Sequence, residues 1–139
     1  MNIKIITLDK TTERFAKEAI AEYSKRLSKY CKLSLKECKN EDYLIKELGE
    51  KSYTIYLISQ GTMLSSEELA NKFSELALSG KSDVTFLISS SELSQKILEK
   101  VDFNLAVSRM NIDFGVLLVI LFEQIYRSYR INSNEPYHK

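Results

Sequence analysis

YTIYLISQGTMLSSEELANKFSELALSGKSDVTFLIS, residues 53–89, holds the plan of the chain. Tyr53–Ser59 is short, apolar and rich in β-branched and aromatic residues, as a strand buried on both faces must be. After Gly61 the period changes. Ser65 and Glu68 form a capping box, Leu69, Phe73 and Leu76 recur as a buried helical stripe, and Gly80 stands where a helix ends on a left-handed residue. A second β-rich run, Val84–Ser89, closes a strand–helix–strand unit.

The same alternation extends in both directions. Upstream, Ile3, Ile5 and Ile6 read as a first strand. Phe15, Ile20, Tyr23, Leu27 and Tyr30 recur at helical spacing between Thr12 and Tyr30, with Thr11 or Thr12 as the expected N-cap. Lys32–Cys38 alternates through Leu33 and Leu35 as a half-buried strand, and Tyr43–Leu48 predicts a short helix. Downstream, SSEL leads into a helix ending near Val101, and Leu105–Val107 forms a fifth short strand. The regular alternation predicts an α/β fold, a mainly parallel sheet flanked by helices on both faces. In such sheets ligands bind at the carboxyl ends of the strands, so the loops after Ser59, Ser89 and Ser108 are where a site is expected.

The last segment, FGVLLVILFEQIYRSYR, is apolar on nearly every side from Val116 to Phe122. A 139-residue chain has too few atoms of its own to bury such a helix all round. A homodimer is the expected remedy. That length, with 44% hydrophobic residues and no linker or repeat, fits a single domain over residues 1–139. No apolar stretch is long enough to span a bilayer, and MNIKIITLDK lacks the pattern of a signal peptide, so a cytoplasmic protein without membrane association is expected. Cys31 and Cys38 are seven residues apart with no Cys-x-x-Cys motif, which suggests neither a metal site nor a disulfide framework. Twenty Lys and Arg against nineteen Asp and Glu give a net charge of +1, which by itself does not point to a nucleic-acid partner.

Three stretches point further. EQIYRSYRINSNEPYHK, QGTMLSSEELANKF and the SRM of AVSRM, together with IAEYSKRLSKYCKL near the start, make the chain similar end to end to the large-subunit rRNA methyltransferase H family of the SPOUT class. Members of that family methylate N3 of a pseudouridine in 23S rRNA. The resemblance implies a homodimer of small α/β domains with a C-terminal trefoil knot, S-adenosylmethionine as cofactor, and the ribosome as partner. By position it implies cofactor contacts from Leu57, from Ser89 and Ser90, and from the loop Val107, Ser108, Arg109, Met110, Asn111 and Ile112.

The chain departs from the family between Asn40 and Ser52, where it is shorter, at Ile58, where an acidic residue often stands, and at two further places. Where the fourth strand of the family runs into Ile-Gly-Gly-Ser-x-Gly-Leu-Ser, this sequence reads ISSSELS, one residue shorter and without glycine. Serine resists the positive φ that glycine takes freely, although its hydroxyl supplies other hydrogen bonds. The family's Phe-Pro-His-Gln followed by arginine is replaced by Ile112, Asp113, Phe114, Gly115 and, at the arginine's place, Leu118.

The tail NEPYHK carries the only proline and the only histidine of the chain. Pro136 fixes its own φ and pushes Glu135 toward an extended conformation, which predicts a stiff arm leaving the last helix. By resemblance this arm closes over the active site. Tyr137 then offers a ring for a base and His138 a proton acceptor near neutral pH, two groups suited to catalysis at a weakly acidic N3–H. Arg127 and Arg130, beside Tyr126 and Tyr129, read either as an RNA grip or as a solvated helix face over core tyrosines. Three functions stay open: a methyltransferase with a remodelled cofactor loop, a dimeric relative that binds ribosomes without methyl transfer, and an α/β domain that binds another small molecule.

Overall fold

The structure, a computed structural model, describes residues 1–138. Lys139, the basic residue that ends the tail motif, lies outside the described residues. The strands are β1 (Asn2–Thr7), β2 (Lys32–Glu37), β3 (Tyr53–Met63), β4 (Asp83–Ile88) and β5 (Phe103–Ala106). The helices are α1 (Arg14–Leu27), α2 (Glu41–Glu47), α3 (Ser66–Leu78), α4 (Gln95–Leu98) and α5 (Phe114–Asn132). All strand pairs are parallel, in the order β2-β1-β4-β3-β5.

Register explains how one sheet serves two cores. Ile5 lies opposite Phe86, which lies opposite Ile55, and all three point to one face. Ile6, Leu87 and Tyr56, one residue further along each strand, point to the other, because side chains alternate along a strand. The first face packs against Leu27 of α1, Leu69 and Phe73 of α3, and Leu118 and Phe122 of α5. The second packs against Leu44 of α2, Ile97 of α4 and Leu93. Near-continuous apolar strands follow directly from this double coverage.

Both caps expected around α3 are present. Ser65 Oγ accepts from the Glu68 N–H while the Glu68 carboxylate accepts from the Ser65 N–H. Gly80, at φ 81°, closes the helix as Lys81 N–H donates to Leu76 C=O.

Elsewhere tertiary structure overrides local pattern. Neither Thr11 nor Thr12 caps α1: its N-cap is Glu13, without a side-chain bond, and the Thr11 N–H is instead taken by the Glu37 carboxylate at 2.6 Å. Phe15, expected in the core, is 48% exposed, and Ala16 is the buried residue of that turn. The helix after SSEL is confined to four residues, Gln95–Leu98. β3 runs to Met63 rather than Ser59, with an internal register shift described below. α5 buries Leu118, Leu121, Phe122 and Ile125, but Val116 remains 40% exposed and Val119 and Ile120 are half-buried. One stripe of α5 thus lacks a cover within the chain.

Candidate functional site

β3 and β5 pair in two registers. Leu105 lies opposite Leu57 and again opposite Thr62, so Ile58–Gly61 loop out of the sheet between the two. Gly61 makes this possible. A Cβ there would stand 2.8 Å from the carbonyl carbon and oxygen of Asn104, so only glycine lets the chain lie flat on the β5 backbone.

The excursion forms one wall of a cavity of about 660 Å³ at the carboxyl edge of the sheet. Its other walls are the serine loop after β4, the loop from Val107 to Ile112, and the first turn of α5 with Phe114 and Leu117. The position obeys the rule for parallel α/β sheets, and the volume suits a nucleoside-sized ligand. Two further concavities, of about 690 and 1050 Å³, lie along α1 and β2 and at the amino edge of the sheet. Neither is lined by the loops after β3, β4 or β5 at the carboxyl edge.

The serine loop is built from hydrogen bonds in place of glycine conformations. Among the described residues only Asn134 and Gly80 have positive φ, so Ser89–Glu92 stay in ordinary backbone regions. Ser89 and Ser91 hydroxyls pair at 3.2 Å, and the Ser89 hydroxyl also accepts from the Ser91 N–H. Asp9, just beyond β1, accepts from the Ser90 N–H at 2.8 Å and from the Ser90 hydroxyl. Asp9 is itself oriented by Thr7, whose buried hydroxyl accepts from the Asp9 N–H at 2.9 Å.

Opposite, residues 107–112 leave their backbone largely free. No backbone–backbone hydrogen bond outside helices and strands involves them among the described residues, and the Met110 N–H is taken by the Ser108 hydroxyl. Ser59 reaches the Asn111 side chain at 3.4 Å, and Asp113 caps α5 through the Gly115 N–H. Free N–H and C=O groups on a half-exposed loop are the donors and acceptors that an adenine edge requires. The residues present therefore fit a nucleoside cofactor in volume and donor set. Of the positions implied by resemblance, Leu57, Ser89, Ser90, Val107, Ser108, Met110, Asn111 and Ile112 line this cavity, and Arg109 does not.

The tail lies elsewhere in the chain. Asn134, at φ 54°, ends α5, with Glu135 N–H donating to Arg130 C=O and Asn134 N–H to Ile131 C=O. This turn sends the tail back along α5 rather than away from it. Glu135 accepts from the Tyr30 hydroxyl at 2.6 Å and pairs with Arg130 at 3.1 Å, and together these hold its carboxyl below the usual range. The Tyr137 ring meets Tyr126 edge-on at 4.9 Å, lies under the Arg127 guanidinium at 4.8 Å, and donates its hydroxyl to Glu123. Burial, then Tyr23 and Glu123, push the Tyr137 phenol up to about 12, so it stays protonated near neutrality.

His138 sits between Arg127 and Glu67. A guanidinium can only donate, so Nδ1 accepts from Arg127 at 3.1 Å, and the Nε2 proton faces the Glu67 carboxylate. Both ring nitrogens are occupied. Arg127 is further gripped by Glu123 at 2.6 Å. The two tail residues and the two arginines thus form one polar cluster over α5, separate from the cavity within a single chain. Sequence reading did not single out Asp9, Gln60 or Glu67. Asp9 and Glu67 act through partners 81 and 71 residues away, and no local spacing signals either.

The family model described as "Predicted SPOUT methyltransferase" matches residues 1–138. The chain is 42% identical to "Ribosomal RNA large subunit methyltransferase H" of Clostridium novyi (strain NT) and 43% identical to the protein of that name from Clostridioides difficile (strain 630), each alignment covering 100% of both chains. A protein named "Ribosomal RNA large subunit methyltransferase H 1", from Thermoanaerobacter sp. (strain X514), is 40% identical over 139 residues, again with full coverage of both. Among solved structures, the TrmH/SpoU tRNA modifying enzyme of A. aeolicus superposes with a TM-score of 0.53 at 9% identity, covering 96% of this chain and 77% of that one. The SpoU methyltransferase AviRb from Streptomyces viridochromogenes, solved with the cofactor AdoMet, gives a TM-score of 0.50 at 8% identity and covers 96% and 61%. At such identities the two structures establish the fold.

Proposed function

The chain belongs to the SPOUT methyltransferase family, and on that premise we propose that it transfers the methyl group of S-adenosylmethionine to N3 of a pseudouridine in 23S rRNA, acting in the cytoplasm as a homodimer. One observation carries the reading: the three strand-end loops meet around one cavity of nucleoside size, with the backbone of residues 107–112 free to read an adenine edge. The trefoil knot and large-subunit rRNA as partner belong to the same reading and rest on family membership.

The bound cofactor would supply an electrophilic methyl group. This chain's task is to hold it, to place the nucleobase against it, and to accept the N3 proton as the methyl arrives. Leu57, Ser89, Ser90, Val107, Ser108 and Met110–Ile112 would hold the cofactor. Tyr137 and His138 would serve the base across the dimer. The incompletely covered stripe of α5 at Val116, Val119 and Ile120 is continuous with Phe114 and Leu117 at the cavity wall, so a partner covering that stripe sits beside the cavity. Tyr137, kept protonated, stacks and donates, which leaves His138 as the proton acceptor. The accepting lone pair is on Nδ1, so His138 must first leave Arg127. Arg127 and Arg130 would bind RNA phosphates. Transfer of labelled methyl to pseudouridylated 50S subunits, absent from subunits lacking pseudouridine, is the expected result. Absence of transfer to both, from a dimeric and folded protein, would overturn the reading.

A second reading, a relative that binds ribosomes without methyl transfer, is favoured by Leu118. At the position where the family carries arginine, this side chain is fully buried in the core and cannot face a ligand. Co-sedimentation with ribosomes without transfer would select it.

A further inference from the structure

We propose that Asp9 is the positioning residue that sets the shape of the cofactor cavity, by latching the serine loop to the end of β1. The inference rests on the reading of this cavity as an S-adenosylmethionine site. A glycine loop reaches a ligand by conformations closed to serine, so a loop reading Ser-Ser-Ser needs another device to hold its backbone open. Asp9 is that device. One carboxylate accepts both the Ser90 N–H, at 2.8 Å, and the Ser90 hydroxyl, which fixes the middle of the loop from two directions.

The carboxylate is held in turn. Thr7 is fully buried, and its hydroxyl accepts from the Asp9 N–H, so the anchor is tied to the rigid end of a central strand. Ser89 and Ser91 pair with each other, and Ser90 is the residue of the three that reaches outside the loop. Bonds of N–H and O–H to an ionised carboxylate are roughly twice as strong as neutral ones, which suits a loop with little apolar burial of its own. Asp9 touches the loop and lines the cavity beside Lys10. It therefore acts on cofactor affinity through Ser90.

Asp9→Ala and Asp9→Asn are compared with wild type by calorimetric titration with S-adenosylmethionine and with S-adenosylhomocysteine. The latch predicts that Asp9→Ala weakens both ligands alike, by about tenfold, the size of one lost charge-assisted hydrogen bond. Asp9→Asn, which keeps an acceptor, restores most of the affinity. With methyl-labelled cofactor and pseudouridylated 50S subunits as substrate, KM for the cofactor rises in Asp9→Ala and kcat does not change. Unchanged affinity for both ligands in Asp9→Ala, or a loss for the cationic S-adenosylmethionine alone, would overturn the latch, the second outcome assigning Asp9 a purely electrostatic role. If wild type binds neither ligand, the methyltransferase reading fails. The latch is then judged by amide exchange: residues 89–92 exchange about tenfold faster in Asp9→Ala if it exists, and at the wild-type rate if it does not.

Discussion

Replacing Gly61 by alanine tests the link between backbone geometry and site. A Cβ at this position would lie 2.8 Å from three backbone atoms of Asn104 and Leu105, about 0.6 Å inside the 3.4 Å at which ordinary contact begins. None of these atoms belongs to a flexible side chain, so β5 as a whole must retreat or Ile58–Gly61 must lift. Retreat opens the pairing of Leu105 with Leu57 and Thr62 and loosens Leu105 and Ala106, both nearly fully buried. Overpacking of a tight core costs about 1–3 kcal/mol, and with a backbone hydrogen bond weakened as well the expected loss is about 3 kcal/mol. For a chain of this size that lowers Tm by roughly 10 °C. Urea unfolding at one fixed protein concentration measures it, since dimerisation would otherwise shift the midpoint. Gly49→Ala is the control, because its added Cβ meets only Ser52 at 3.7 Å. The same substitution moves Ile58–Gln60 at the cavity wall, so cofactor affinity falls together with stability. A Gly61→Ala protein within 0.5 kcal/mol of wild type would refute the close approach and with it the account of the cavity wall.

The tail and the core give further expectations. His138→Ala should reduce methyl transfer by about 10²–10⁴, the usual yield of a positioned base, with cofactor affinity measured by calorimetry unchanged; equal loss in both would remove His138 from proton transfer. The Glu135 carboxylate is held below its ordinary range, first by the Tyr30 hydroxyl and then, against some desolvation, by Arg130, so its contribution is complete above the ordinary carboxylate pKa and is lost as pH falls through the lowered value. The ring-shifted proton resonances of Tyr137 should therefore persist through the neutral range and collapse only on acidification below the ordinary carboxylate pKa, with Glu135→Gln abolishing that acid transition. Asn134→Gly should leave stability unchanged while Asn134→Ala costs about 1 kcal/mol in urea unfolding, as a left-handed φ of 54° demands. Leu118→Arg, which restores the family's residue type, should destabilise by at least about 4 kcal/mol, because the side chain enters a fully buried site with no partner.

The sequence by itself determined the elements and their order. The capping box at Ser65 and Glu68, the stripe Leu69, Phe73 and Leu76, and the left-handed Gly80 involve residues within a few positions of each other, so they read the same in a string as in a fold. The apolar strands announced a sheet covered on both faces for the same reason: each strand carries its own burial pattern. The strand-end loops of the cavity followed from that topology, whereas the single positions Leu57, Ser89, Ser90 and 107–112 came from the family resemblance and not from any local pattern, and Arg109 of that set does not line the cavity. Only the tertiary structure decided the rest. Phe15 fits the apolar period of its helix yet faces outward, because Ala16 takes the place against the sheet. The strand read as ending at Ser59 runs on to Met63, and the excursion within it depends on β5, more than forty residues away. The extended arm expected at Pro136 is instead a turn at Pro136 and Tyr137, and the tail's direction was set by Asn134 and by anchors at Tyr30, after α1, and on α3. Asp9 and Ser90 meet across 81 residues. Local periodicity and capping depend on the nearest turns of chain, whereas a latch, a close backbone approach and an uncovered helix stripe depend on which distant segments the parallel crossovers bring together.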